Sequence, residues 1–191
     1  MLTETQPELL NNMVEVDESY VGGKNKNRHA DKKVKNSQGR SSADKTPVVG
    51  LVERGGKVVT FVTTDTNSDT LSKFIRSNVA VNAIVVTDAY KAYNGISEDY
   101  KHITVKHEDG GYVVNIDGEK YHTQNIENFW SQSKRGYVGI YHYMSPKHLQ
   151  RYCNEFATRY NNRNICNIDR FKLVVKNSGQ RKITYDKLTR G

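Results

Sequence analysis

The apolar run AIVVT at residues 83–87 constrains the fold of this chain more than any other segment. A short run with no polar face is typical of a strand that is covered on both sides and paired in parallel. Residues 14–21 instead alternate apolar and polar side chains, which predicts a strand with one polar face. A sheet that contains both kinds of strand needs helices packed on it, so we expect a mixed α/β fold.

Turn and capping signals divide the rest of the chain. Residues 47–53 and 57–63 are rich in β-formers and flank an Arg-Gly-Gly turn, which predicts a hairpin. Ser68 is the predicted N-cap of a helix that crosses over the sheet. Residues 125–136 predict a second helix, interrupted by Gly136 and Gly139, and the Ser-Pro pair at 145–146 opens the last strong helix.

Three acidic residues stand where a protein has little structural use for a carboxylate. Asp17 lies within the first strand, Asp88 follows the apolar run directly, and Glu127 begins a helical run. Ligand sites gather beyond the carboxyl ends of parallel strands, where Asp88 would lie. Three carboxylates suffice for Mg²⁺, because water and substrate phosphate complete its shell. We therefore expect the three to converge on a divalent-cation site for phosphodiester chemistry.

Lys134 extends this prediction to the substrate. It follows Glu127 by seven positions, which places both near one face of a helix, and a lysine there would hold a phosphate as a point charge. Each acid also has an ordinary alternative: Asp17 on an exposed edge strand, Asp88 in a turn, Glu127 on a solvated helix face. Twelve tyrosines leave nucleophilic attack by a phenol as a weaker alternative.

The charge distribution favours a polyanionic partner. The net charge is +8, but residues 24–45 carry six Lys and two Arg against two Asp, and residues 170–191 carry seven basic residues against one Asp. Each segment is therefore +6, and the remaining residues sum to −4. An acidic body between two basic segments suits a protein that holds cations inside and a polyanion outside. Two solvated, flexible segments are the alternative.

Other classes of protein find little support in the sequence. No apolar stretch approaches the roughly 18 residues that span a membrane, and residues 1–14 lack the pattern of a secretory signal, so we expect a cytoplasmic protein. Cys153 and Cys166 have neither zinc-ligand nor disulfide-framework spacing. None of the six histidines has metal-ligand spacing, and His122 is expected to be satisfied by backbone.

Four segments together resemble the insertion-sequence transposases of the ISXO-like branch of the DDE superfamily. They run in the family's order from about residue 14 to residue 164: VEVDESYVGGK, VVTDAYKAY, YHTQNIENFWSQSKRG and YHYMSPKHLQRYCNEFATRYNNR. The resemblance implies a ribonuclease H-like mixed sheet flanked by helices. It also implies dependence on Mg²⁺ or Mn²⁺, with strand cleavage and strand transfer at transposon ends.

The resemblance assigns site residues position by position. Asp17 and Asp88 match the first two acidic positions. The third position varies between Glu and Asn in this branch, and Glu127 fits it because the family's basic residue lies seven places later, with Asn125 and Asn128 as neighbouring alternatives. The predicted DNA contacts are Lys24, Lys26, Arg28, Lys32, Lys33, Lys35, Lys134 and Arg135.

The expected organisation is a lead at residues 1–13, a catalytic domain at 14–168 with a basic insertion at 24–46, and a basic tail at 169–191. Family members commonly carry an amino-terminal zinc-ribbon or helix-turn-helix region, whereas only 16 residues precede Asp17 here. An internal start, a decayed copy and an isolated catalytic domain are all compatible with this. The alternatives in function are a nuclease or junction resolvase of the same fold and a non-catalytic DNA-binding remnant.

The expected partners follow from the leading interpretation. They are DNA, as transposon ends and target, and a second copy of the chain, because transposition brings two ends together. We expect a bacterial protein that associates with the nucleoid when DNA is bound.

Overall fold

A five-stranded mixed sheet organises the molecule, in the order β3-β2-β1-β4-β5. The computed structural model describes residues 8–22, 29–35, 44–106 and 112–178, with single positions 184, 185 and 189. The strands of the sheet are β1 (Met13–Val21), β2 (Thr46–Glu53), β3 (Val58–Val62), β4 (Ile84–Asp88) and β5 (Lys101–Val105). A separate hairpin consists of β6 (Val114–Ile116) and β7 (Glu119–Tyr121).

Helices cover both faces of this sheet. They are α1 (Ser68–Asn78), α2 (Gln124–Gly136), α3 (Leu149–Asn161) and α4 (Asn167–Ser178). Short 3₁₀ helices lie at Ala30–Lys32, Lys91–Glu98 and Pro146–His148, and one π-helical turn spans Tyr137–Tyr141. No helix of the described residues is long and apolar enough to cross a membrane.

The strand directions confirm the predicted mixed sheet. β2 is antiparallel to β1 and to β3, whereas β4 is parallel to both β1 and β5. β1 is therefore the central strand, and Val14 and Val16 in it are fully buried. The register pairs Val16 of β1 with Thr87 of β4, so both strands deliver their next residues to the same edge of the sheet.

Two apolar layers sandwich the sheet. On one face, Leu71 and Ile75 of α1 pack with the valines of β1 and β4. On the other face, Ile126 and Phe129 of α2 pack with Val48 of β2 and with residues of α3. Burial of these side chains supplies the main driving force that holds α2 against the sheet.

Gly50 of β2 sets how closely α2 approaches the sheet. It pairs directly with Asp17 across the β1–β2 ladder. A Cβ at this position would lie 2.7 Å from Cδ1 of Ile126 and 2.7 Å from Cζ2 of Trp130. Both side chains come from α2, so the missing side chain of Gly50 brings this helix onto the strand that neighbours Asp17.

Three local expectations need correction. The N-cap of α1 is Asn67, not Ser68: its side chain accepts a hydrogen bond from the backbone N of Thr70 at 2.9 Å, and Ser68 is the first helical residue. Helical structure also continues past Gly136 as the π turn and ends at His142, whose φ is 57°. Helix α4 was not predicted, although Ile168, Phe171 and Val175 recur at helical spacing; in the structure its apolar residues are exposed.

Replacement of Gly50 by alanine tests the close approach of α2. The added methyl group overpacks the contact with Ile126 and Trp130, so Gly50→Ala should lower the free energy of unfolding by about 2 kcal/mol. Urea denaturation followed by circular dichroism measures the change. Gly139→Ala is the matched control, because a Cβ there meets nothing within 4 Å. Equal stability of the two variants would contradict this account.

Candidate active site

Two aspartates lie on neighbouring strands at the position where β4 ends. Asp17 and Asp88 each lie one residue beyond the register pair that joins Val16 to Thr87, so β1 and β4 place them side by side. Asp88 is the last residue of β4, and its Oδ1 accepts a hydrogen bond from the backbone N of Tyr90 at 3.0 Å. The predicted proximity of these two carboxylates therefore follows directly from parallel pairing.

The third acid comes from the helix layer. Glu127 lies in the first turn of α2 and is exposed, and its Oε1 accepts a hydrogen bond from Oγ1 of Thr123 at 2.8 Å. Because α2 packs on β1 and β2, its first turn lies over the polar face of β1. The opposite face of the helix is buried in the core through Ile126 and Phe129.

The protonation of Asp17 reflects this crowding of acids. Burial, followed by the negative charges of Glu18 and Asp88 and the smaller effect of Glu127, raises the pKa of Asp17 to about 7. A hydrogen bond from backbone opposes these effects in part. Asp88 and Glu127 therefore both lie within electrostatic reach of Asp17. Glu18 was not predicted as part of this cluster; it is buried, and its Oε2 accepts a hydrogen bond from the hydroxyl of Tyr93 at 2.7 Å.

The three predicted acids do not form a complete set of ligands for a metal ion. Within the part of the chain that the structure describes, no three Asp, Glu, His or Cys side chains are grouped closely enough to hold a metal ion. The donor set is nonetheless chemically suited to Mg²⁺ or Mn²⁺, because carboxylate oxygens are the ligands that hard cations prefer. The raised pKa of Asp17, which burial causes first and neighbouring carboxylates second, means that a cation beside it would stabilise its charged form.

A buried carboxylate, Glu15, fixes the start of α2. It lies two residues before Asp17, on the same face of β1, and is fully buried. Its Oε2 accepts hydrogen bonds from the backbone N of Asn125 at 2.8 Å and of Ile126 at 3.1 Å, and its Oε1 accepts from Nδ2 of Asn125 at 2.7 Å. Arg54 supplies a charge partner at 3.3 Å. Glu15 thus acts as a cap from another element for a helix N-terminus.

The alternation of VEVDE offered a signal for Glu15 that the sequence interpretation did not use. In a strand, residues two apart share a face, so Glu15 had to lie on the same side as Asp17. His122, as expected, is satisfied locally: its Nδ1 lies 3.3 Å from the backbone N of Gln124 and 3.3 Å from Oε1 of Glu15. Asn125, an alternative for the third acidic position, is instead engaged with Glu15.

The basic residues divide into three groups. Lys134 and Arg135 are exposed in the last turn of α2, and Lys134 forms no ion pair with any described residue. Lys33 and Lys35 are exposed beyond the 3₁₀ turn. The predicted contacts Lys24, Lys26 and Arg28 lie outside the described residues, as does the side chain of Lys32.

The cysteines match the expectation of one buried residue and one incidental thiol. Both are free; Cys153 is buried and Cys166 is exposed. Burial raises the pKa of the Cys153 thiol to about 12, which keeps it protonated and unreactive at neutral pH.

The fold and the comparisons agree on a family. Three antiparallel strands followed by two parallel strands, with helices on both faces, form the sheet of a ribonuclease H-like fold. Residues 9–161 match the model of the ISXO2-like transposase domain, and the chain belongs to this family. An uncharacterized transposase-like protein of Haemophilus influenzae is 29% identical over 129 residues, which cover 64% of this chain and 96% of that protein. The resemblance inferred from the four sequence segments is confirmed.

Removal of the Glu15 carboxylate should loosen α2. Glu15→Ala leaves two backbone N–H groups and Arg54 without their acceptor, so we expect a loss of about 3 kcal/mol in the free energy of unfolding. Glu15→Gln retains an acceptor of the same shape and should lose about half as much. Urea denaturation of both variants provides the measurement. Wild-type stability of Glu15→Ala would show that the helix start does not depend on this carboxylate.

Asp17→Asn should stabilise the protein at high pH and in the absence of divalent cations. The pKa of Asp17 is raised in the folded protein, so ionisation of this carboxyl lowers the free energy of unfolding. This loss is small near pH 4, where the carboxyl is protonated in the folded protein, and complete above pH 7. We expect the variant to gain about 2 kcal/mol at pH 8, a value that allows for solvent screening of a partly exposed carboxylate. Unfolding of both proteins in EDTA at pH 4 and pH 8 tests this. A gain that is the same at both pH values would contradict the assignment.

Proposed function

We propose that this chain is a metal-dependent DNA transposase that cuts the strand at insertion-sequence ends and joins it to target DNA. The observation that supports the proposal is the placement of Asp17 and Asp88 on neighbouring parallel strands, with Glu127 of α2 within electrostatic reach of Asp17, in a member of the ISXO2-like transposase family. The related Haemophilus influenzae protein is described as transposase-like, which supports the same class of function.

The three carboxylates would hold the divalent cations in this proposal. When bound, Mg²⁺ or Mn²⁺ polarises the phosphodiester and favours ionisation of the attacking hydroxyl. Burial and neighbouring negative charges raise the pKa of Asp17, so a cation beside it would stabilise its charged form. Asp17 also lies on the central strand, where it pairs with Gly50 of β2 directly after the last pair that joins β1 to β4.

The reaction has two phosphoryl-transfer steps. In the first step, water attacks the phosphodiester at the end of the element, the bond to the leaving 3′-oxygen breaks, and a 3′-hydroxyl is released. In the second step, that hydroxyl attacks a phosphodiester of the target, and the target's own 3′-oxygen leaves. The hydrogen bond from Oγ1 of Thr123 to Oε1 of Glu127 would orient this carboxylate toward the site.

Lys134 is the described basic residue that we propose binds DNA beside the cut. Lys134 is exposed on α2, two turns after Glu127, and would contact the phosphate beside the cut. Phosphate contacts position DNA rather than specify its sequence, so binding should depend strongly on salt. Lys134→Ala should therefore weaken binding of all sequences about equally and reduce the slope of log affinity against log salt by about 1.

A pre-cleaved DNA end with a free 3′-hydroxyl tests the proposal. Incubated with Mn²⁺ and a supercoiled target plasmid, the wild-type chain should produce joined DNA, visible on a denaturing gel. Asp17→Asn should lose at least about 100-fold of this product while DNA binding remains, because the cations lose a ligand. Asp99→Asn is the matched control, since Asp99 is paired to Arg76 and precedes β5 at the other end of the sheet.

The other outcomes have distinct meanings. Cutting of an intact end without joining would replace the proposal with a nuclease or junction resolvase of the same fold. DNA binding with no metal-dependent product, unchanged in Asp17→Asn, would instead indicate a non-catalytic DNA-binding protein.

A further inference from the structure

A cavity of about 610 Å³ lies between the end of β1, α2, the π turn and α3. Its walls are mainly aromatic and aliphatic, with polar groups of Ser19, Ser133 and His142 among them. The volume is within the range of sites that enclose small molecules. The residues that give it its aromatic character are Tyr20, Phe129, Trp130, Tyr137 and Phe156.

The cavity lies next to the candidate active site. Ser19, which lines it, is two residues beyond Asp17 and on the same face of β1. Lys134 lines it as well, from the helix that carries Glu127. A DNA strand whose phosphate contacts Lys134 therefore has its neighbouring bases within reach of this cavity.

An exposed apolar turn follows α2, and one of its residues lines the cavity. In this turn Val138 is 68% exposed and Ile140 is 60% exposed. Val138 lines the cavity and Ile140 lines a second pocket, so Val138 is the exposed apolar residue at this site. Exposed apolar groups beside cations are costly to hold in water, and in proteins that bend DNA such groups insert between base steps.

We propose that this cavity holds one nucleobase, unstacked from the DNA beside the cut, while the side chain of Val138 in the apolar turn takes its place in the stack. The inference rests on the proposed function, because it requires DNA at Lys134.

The chemistry of the cavity favours a nucleobase over an apolar peptide or a second copy of the chain. A nucleobase is a flat ring that stacks on aromatic walls, and its edge accepts and donates hydrogen bonds that serine and histidine side chains can satisfy. It is also attached to phosphates, and two lysines, Lys45 and Lys134, line the cavity. An apolar partner would use the aromatic walls but not these cations.

The chain contains an intrinsic fluorophore that can report binding of a nucleobase in the cavity. Trp130 is the single tryptophan of the sequence and lines the cavity, so its emission reports on occupancy of this site. The experiment uses the full chain in EDTA, so that the DNA stays uncut, with duplexes that carry 2-aminopurine at one position at a time. At one position beside the cut, 2-aminopurine emission should change by at least about threefold, and Trp130 emission should fall on the same titration.

Val138→Ser tests the wedge without removing the reporter. It should weaken binding about tenfold and abolish the position-specific change, because stacking on the exposed base step is lost. Val81→Ser is the matched control, since Val81 is 77% exposed and precedes β4 at the end of the sheet away from Asp88. It should retain both signals.

Three results would overturn the inference. Equal 2-aminopurine emission at every position, with DNA bound by anisotropy and joined in the Mn²⁺ assay, removes the base site and leaves the transposase function intact. A change in sedimentation of Val138→Ser without a change in DNA binding assigns the apolar turn to contact between copies. Absence of DNA binding altogether removes both proposals.

Discussion

The packing of α2 on the sheet, at a fixed distance and a fixed position along β1, is the constraint on which the rest of this structure depends. Two contacts at neighbouring positions of the same sheet face define it: Gly50 leaves room for Ile126 and Trp130, and Glu15 receives the first backbone N–H groups of the helix. One contact sets the distance of the helix from the strand, and the other sets its position along the strand. Glu127, in the first turn, is located by both.

Apolar packing and repulsion between carboxylates oppose each other where α2 contacts the sheet. Burial of Ile126, Phe129 and Trp130 brings the first turn of α2 down onto β1, where Asp17 and Asp88 already lie side by side. Burial first, and the neighbouring carboxylates second, raise the pKa of Asp17. A folded protein can tolerate such a local cost because the apolar layers contribute far more free energy than one crowded carboxylate removes.

Much of this arrangement could be predicted from sequence, for identifiable reasons. The apolar run before Asp88 and the alternation around Asp17 fixed the strand types, and parallel pairing then placed the two aspartates together. The roles of Glu15 and Glu18 were harder to predict, because each depends on a partner more than 70 residues away, Asn125 and Tyr93. Periodicity describes which face a residue occupies and does not reveal what that face meets.

Local sequence signals for helix ends and helix positions were wrong or unused at three places. Asn67 and Ser68 are both good caps, and only the extended backbone of Asn67 decides between them. Gly136 looked like a helix break, yet a Cβ there would meet the ring of Phe156 at 2.6 Å, so this glycine serves packing against α3. Helix α4 does carry apolar residues at helical spacing, a signal that was not used because the segment was interpreted from its charge as a basic tail.

The indole of Trp130 connects features that look separate in the chain. One edge of the ring abuts the backbone of Gly50, and the same side chain forms part of the wall beside Lys134. Substitutions at positions 50, 126 and 130 are therefore not independent, and their effects should combine non-additively. A substitution that changes the shape of the cavity wall at Trp130 also changes the distance between α2 and the central strands. The shape of the cavity and the position of α2 therefore have to change together as such sequences diverge.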